Sequence, residues 1–330
     1  MTLAMIGLGG ATRLTGSGLS IMEWAPIMGA VPPMSEAEWH RLFDLYKRIP
    51  QFALINSDFQ MADFQRIFWL EWLHRFWGRL IGAAFALPML WFWAMGRLPR
   101  RMVPKLFGIL ALGGLQGAVG WIMVASGFEP DATAVSPYRL VVHLGLGIAL
   151  FAAVLWVGMT MLEPRASQTL GGEAARSWAK RTAWLLVATM LAGGFVAGTK
   201  AGLDYNTFPL MDGRLVPDGY WARSPLWLNL TENIAAVQFN HRLLATLTAL
   251  AAAVTVWLGA RAPADAVPRG PLRWLAAAIA AQYALGVATL LAAVPIVLGT
   301  LHQIGAALAL SAVLAVMHTT RPPMPREHPP

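Results

Sequence analysis

The sequence predicts an all-α polytopic membrane protein, and three observations predict it. Hydrophobic residues make up 57% of the 330 and charged residues only 13%, where a soluble domain carries about a quarter charged. The mean hydropathy is +0.53. Seven stretches are apolar over the roughly 20 residues that a spanning helix needs: 68–95, 105–126, 138–162, 178–198, 236–259, 272–293 and 295–318.

An eighth helix, first in order, is expected in part. "MTLAMIGLGGA" at 1–11 is about half a span, from a start upstream of Met1 or from a shortened helix. Helices 2 to 4 are then the spans at 68–95, 105–126 and 138–162, and helices 5 to 8 are the remaining four. The last two are joined by "AAVPIV", where Pro295 can open a helix. Residues 264–270 and 322–330 read as a polar linker and a Pro-rich tail.

The charges orient the chain. If helix 1 runs outward, the inner segments 96–105, 163–181, 260–273 and 319–330 hold thirteen Lys and Arg, Arg165 and Arg326 among them, against four acids. Acids outnumber cations in the outer segments. The positive-inside rule therefore favours both termini inside. The net charge of +8 reflects that topology and not nucleic-acid binding. The absence of cysteine excludes disulfides, thiolate metal sites and Cys nucleophiles. Two outer loops, 12–67 and 199–235, are long and rich in Trp, Phe, Pro and Gly, so they are expected to be packed and structured.

The chain also looks duplicated. "GGATRLTGSGL" at 9–19 resembles "GGFVAGTKAGL" at 193–203, "LHRFWGRLIG" resembles "NHRLLATLTA", and "GLQGAVGWIMVASG" at 114–127 resembles "AAQYALGVATLLAA" at 280–293. "RLVVHLGLGIAL" at 139–150 resembles "VLGTLHQIGAAL" at 297–308. Two repeated four-helix bundles are expected, 1–165 and 166–330, inserted the same way.

Four of the seven histidines, His74, His143, His241 and His302, fall early in helices 2, 4, 6 and 8. Even helices share a direction, so the four lie toward the outer face. His40, His318 and His328 sit in a loop, at a helix end and in the tail. Intramembrane ionisable residues are functional by default, and two repeated pairs of imidazoles in bundle cores suit bis-histidine haem ligation. Copper or zinc stays open, although zinc usually takes a further carboxylate or thiolate. Gly78, Gly82 and Gly147 lie four or eight residues beyond His74 and His143, with Ala245 four beyond His241. They leave room for a macrocycle or serve close helix packing. Arg75 and Arg242 either hold propionate carboxylates or snorkel to the interface.

Glu71 lies three residues before His74 on the same face, and its repeat equivalent is Gln238. A buried carboxylate can act as a base or stabilise a developing cation, whereas an amide cannot do so comparably. The first half then reads as a reactive site and the second as a structural or electron-transfer haem site. Glu71 pairing with Arg75 across one helical turn is the alternative.

These stretches, with "EWAPIMGAVPP" at 23–33, "NTFPLMDG" at 206–213 and "VQFNHR" at 237–242, resemble the haem A synthase family, in its mitochondrial and proteobacterial branch. The resemblance runs from Gly9 to about His318. It lacks the loop cysteine pair of other branches. It implies an eight-helix oxidoreductase that turns a ring methyl of haem O into the formyl of haem A for terminal oxidase assembly. His74 and His143 would flank the substrate haem, His241 and His302 would ligate haem B, and Glu71 would match the family's functional glutamate. A haem O synthase and an electron acceptor are implied partners; homo-oligomerisation stays open. A di-haem cytochrome b, a haem carrier and a parallel-repeat transporter are the rival readings.

Overall fold

The computed structural model describes residues 1–162 and 171–321. Arg165, Arg326, His328 and the 322–330 tail lie outside the described residues. Ten α-helices are present among those described: α1 (Thr2–Leu14), α2 (Glu36–Tyr46), α3 (Pro50–Ile55), α4 (Met61–Ala94), α5 (Val103–Ala125), α6 (Pro137–Leu162), α7 (Glu173–Thr199), α8 (Ile234–Arg261), α9 (Arg269–Leu291) and α10 (Ile296–Thr319). Seven of these, α4 to α10, are long and apolar enough to span a membrane. The fragment at the start is helical, but its 13 residues rise only about 20 Å. It therefore falls short of a span, as expected of a fragment, and the seven full spans are those read from the sequence.

The helix ends follow from local chemistry. Gln60 and Asp63 close a capping box on α4. Ser35 accepts the Glu38 N–H at the start of α2, and Asn233 accepts from Ala235 and Ala236 at the start of α8. Pro295 stands at the N-cap of α10, one residue before the expected N1 position. The turn ahead of it holds Ala293 and Val294 at φ of 56° and 57°, a strained conformation for a β-branched residue.

The chain divides into two compact units, Met1–Leu150 with Gly299–Gln303, and Phe151–Leu298 with Ile304 onward. In the first unit the loop ahead of α4 is packed, as its composition implies. Leu19, Leu42, Phe43, Tyr46, Phe64 and Phe68 form a buried core with Ile49, Ile67 and Val124. Trp39 of α2 lies edge-on to Phe68 at 4.9 Å, which anchors the loop against the first turns of α4. In the second unit α7 and α8 are joined by two threonine pairs, Thr182 with Thr255 at 3.0 Å and Thr189 with Thr248 at 2.9 Å. The pairs stand seven residues apart on both helices, so they share one seam. Each threonine also caps the carbonyl four residues back on its own helix, which satisfies the hydroxyls where water is excluded.

Candidate haem-binding site

His74, His143 and His241 are half-buried in their helices, and an earlier helix, α1, α5 and α7 in turn, meets each of them with a glycine. A Cβ on Gly9 would stand 3.1 Å from Cε1 of His74, with Nδ1 at 3.6 Å and Nε2 at 4.0 Å. On Gly120 the corresponding distances to His143 are 2.9, 3.3 and 3.8 Å. On Gly193 they are 3.0, 3.4 and 3.8 Å to His241. All three rings thus dock with Cε1 on the neighbouring backbone and Nε2 as the ring nitrogen held farther from it. Any side chain at those glycines would push the imidazole away.

Hydrogen bonding distinguishes the rings. Nδ1 of His241 lies 3.0 Å from the Thr189 carbonyl. A carbonyl only accepts, so Nδ1 carries the proton and the lone pair is on Nε2, the arrangement usual in a metal-ligating histidine. His74 and His143 lack that bond. Each has a buried Nδ1 with no protein partner, a cost of about 1–3 kcal/mol apiece. His302 is half-buried at the seventh residue of α10 and groups with the first unit. Among the described residues no three His, Asp or Glu side chains come together as a metal cage. Imidazoles without a third protein donor suit a flat macrocycle that would supply four ring nitrogens of its own.

The space beside the rings agrees. Gly82 faces nothing within 4 Å, and Gly78 meets only the flexible end of Met5 at 3.4 Å. Gly147 faces Gln116, with 3.3 Å from a Cβ there to Nε2.

Glu71 is 2% exposed and fully engaged. Ser20 donates its N–H and its hydroxyl to Oε2 at 2.7 Å each, and Ile21 donates its N–H at 2.9 Å. Arg75 donates Nε–H and Nη2–H to Oε1 at 3.0 and 2.5 Å. Five donors fill the roughly four lone-pair sites of a carboxylate. Arg75 also grips the carbonyls of Ile21 at 2.7 Å and Glu23 at 3.1 Å. The second half repeats the plan with reversed polarity. Gln238 donates to the carbonyls of Ala201 at 2.8 Å and Asp204 at 2.6 Å, and accepts from Arg242 at 3.0 Å. Arg242 grips the carbonyls of Tyr205 and Thr207 and retains a buried Nε–H without a partner.

The chain has relatives along nearly its whole length. Residues 1–314 match COX15-CtaA, the cytochrome oxidase assembly proteins. The chain belongs to this family. It is 53% identical over 321 residues to the Heme A synthase of Granulibacter bethesdensis, covering 97% of this chain and 84% of that one. It is 46% identical to the Heme A synthase of Rhodospirillum centenum, covering 98% and 86%. The Heme A synthase of Caulobacter vibrioides is 46% identical, with 98% and 94% covered. No solved structure matches the chain.

Within this family member, one site residue escapes the histidine pattern. Gln116 of α5 brings its amide nitrogen to 3.3 Å from Nε2 of His143, and its own Oε1 is buried without a partner. Its repeat equivalent, Gln282, packs against Gly305 so closely that a Cβ there would collide with the amide oxygen. A glutamine recurring at the same place in two apolar runs was the available signal.

Proposed function

We propose that this membrane protein is a haem A synthase acting in cytochrome oxidase assembly, with haem O as substrate and its ring methyl as the oxidised group. The observation that carries the reading is the pair of imidazoles, His74 and His143, docked alike on glycines with Nε2 as the ring nitrogen held farther from the neighbouring backbone. Its support is near-full-length kinship with proteins named for that activity. Methyl to formyl with oxygen from water releases four electrons and four protons, so an electron acceptor is required. Haem B, with His241 as its candidate ligand in the second unit, would supply one-electron transfer chemistry.

The protein's own residues hold, orient and enclose. His74 and His143 position the substrate. Glu71 acts through its charge and its grip on the loop; with both oxygens filled, it is not poised as a base for water. Of the two arginines proposed for propionates, Arg242 offers an unengaged Nε–H, while Arg75 is committed to Glu71 and the loop. The excess of inner cations supports the orientation in which the C-terminal end of α10 is inside and the histidines lie toward the outer face, and kinship with bacterial proteins supports the cytoplasmic membrane. A haem O synthase would be the supplier of substrate.

The test is haem extraction and chromatography after co-expression with a haem O synthase in a host that makes no haem A. Haem A or a hydroxylated intermediate establishes the activity. Folded protein holding haem B and unchanged haem O points instead to a di-haem cytochrome or a carrier.

A further inference from the structure

Glu71, Arg75 and Arg79 stand at four-residue intervals on one face of α4, and they hold one segment in order. Glu71 takes Ser20 and Ile21. Arg75 takes the carbonyls of Ile21 and Glu23. Arg79 takes those of Ala25 at 2.7 Å and Pro26 at 2.8 Å. The chain then turns through Met28–Ala30, where Gly29 lies on the Arg79 guanidinium with room for no Cβ. It returns to α2, whose Trp39 packs on Phe64 and Phe68. The segment thus descends beside α4 and climbs back.

The depth follows from the helix. A hydrocarbon core of about 30 Å is about 20 helical residues, which counted back from Ala94, the last residue of α4, reaches His74. The turn held by Arg79 therefore lies at or below the hydrocarbon boundary. Its side chains match that position: Ile27 is 81% exposed, Met28 75%, Val31 60% and Met34 82%. They continue the exposed apolar surface of Leu73, Leu80 and Leu87 on α4. Its backbone matches too. Pro26, Pro32 and Pro33 carry no N–H. The N–H groups of Gly29, Ala30 and Val31 are bonded within the turn. Irregular backbone at membrane depth is tolerated only where protein satisfies its polar groups, and Arg75 and Arg79 of α4 cover the carbonyls of Ile21, Glu23, Ala25 and Pro26.

We propose that residues 24–34 form a re-entrant loop that inserts among the acyl chains of the leaflet on the histidine side, held there by the Glu71–Arg75–Arg79 ladder. The partner is the lipid of that leaflet. Ile27, Met28, Val31 and Met34 meet it, and Arg79 sets the depth. The inference rests on the chain's spanning a membrane and is independent of which haem reaction it performs.

The chain's lack of cysteine makes the test direct. Single variants Met28→Cys, His40→Cys and Leu87→Cys are nitroxide-labelled and reconstituted in phosphatidylcholine–phosphatidylglycerol vesicles. Collision with oxygen and with a water-soluble nickel chelate is then read at each site. Met28→Cys should resemble Leu87→Cys, its oxygen-to-nickel ratio exceeding that at His40→Cys on the order of tenfold, because a hydrated chelate does not enter hydrocarbon. A nickel-accessible label at Met28→Cys overturns the proposal. A label shielded from both reagents overturns it as well, since protein and not lipid would cover the loop. Ile27→Cys repeats the measurement at an independent position. Adding Arg79→Ala should move the Met28→Cys label toward the aqueous ratio, and Arg79→Lys should do so in part. An unchanged ratio in folded Arg79→Ala protein removes the ladder from the proposal.

Discussion

Glu71 accepts the backbone N–H of Ser20 at 2.7 Å, and that bond fixes why the first half carries a carboxylate where the second carries an amide. The loop after α1 presents N–H and O–H donors to α4. The loop after α7 presents the carbonyls of Ala201 and Asp204 to α8. Each helix supplies the side chain of opposite polarity, and an arginine four residues later completes both latches.

Reciprocal substitutions test this. Glu71→Gln turns an amide nitrogen either on Ser20 and Ile21 or on Arg75. Gln238→Glu sets a carboxylate on two carbonyls. Both variants should lose stability, on the order of 3–5 kcal/mol where a buried charge is left uncompensated, read as a fall in the unfolding midpoint in detergent. If Glu71→Gln keeps its midpoint and its loop protection in hydrogen exchange but loses turnover, the role of Glu71 is chemical and not positional.

The glycine docking predicts separable haem losses. Gly193→Ala should displace His241 and deplete haem B from purified protein. Gly9→Ala and Gly120→Ala should displace His74 and His143 and weaken binding of the substrate haem. Soret absorbance with chromatography of the extracted haems distinguishes the two outcomes.

Gln116 donates its amide N–H to Nε2 of His143, and so competes for the lone pair that iron would use. Gln116→Leu should raise affinity for the substrate haem by up to about tenfold, the worth of one hydrogen bond, in a haem O titration. Unchanged or weaker binding would show that the contact does not persist in the membrane.

Acid should loosen the rim of the first loop. Arg41 makes a bidentate pair with Glu23 at 2.8 Å and a second with Glu38. The hydrogen bonds to its guanidinium hold both carboxyls below their ordinary range. A depressed carboxyl contributes stability above its unfolded pKa and loses it as pH falls through the folded value. Hydrogen exchange over residues 20–46 should therefore quicken relative to the spans below the ordinary carboxylate range. The effect should be small and salt-sensitive, because all three groups are exposed.

The sequence by itself determined the class, the spans and the candidate ligands. Long apolar runs have no stable place but a membrane, and a histidine inside one is visible because it is costly there. It also exposed the Glu71/Gln238 difference, since a repeat places the two side by side. What only the tertiary structure decided is what those residues face. The donor-or-acceptor character of a loop depends on its backbone path, which residue identity does not encode, so the latch was hidden behind a reading of reactive chemistry. The same holds for Gly9, Gly120 and Gly193, whose neighbours across the helix pair are non-local. It holds as well for Gln116, whose partner lies 27 residues away on another helix. Arg79 joined Glu71 and Arg75 as a third rung only because the chain at 20–30 descends along α4, a path that hydropathy cannot report.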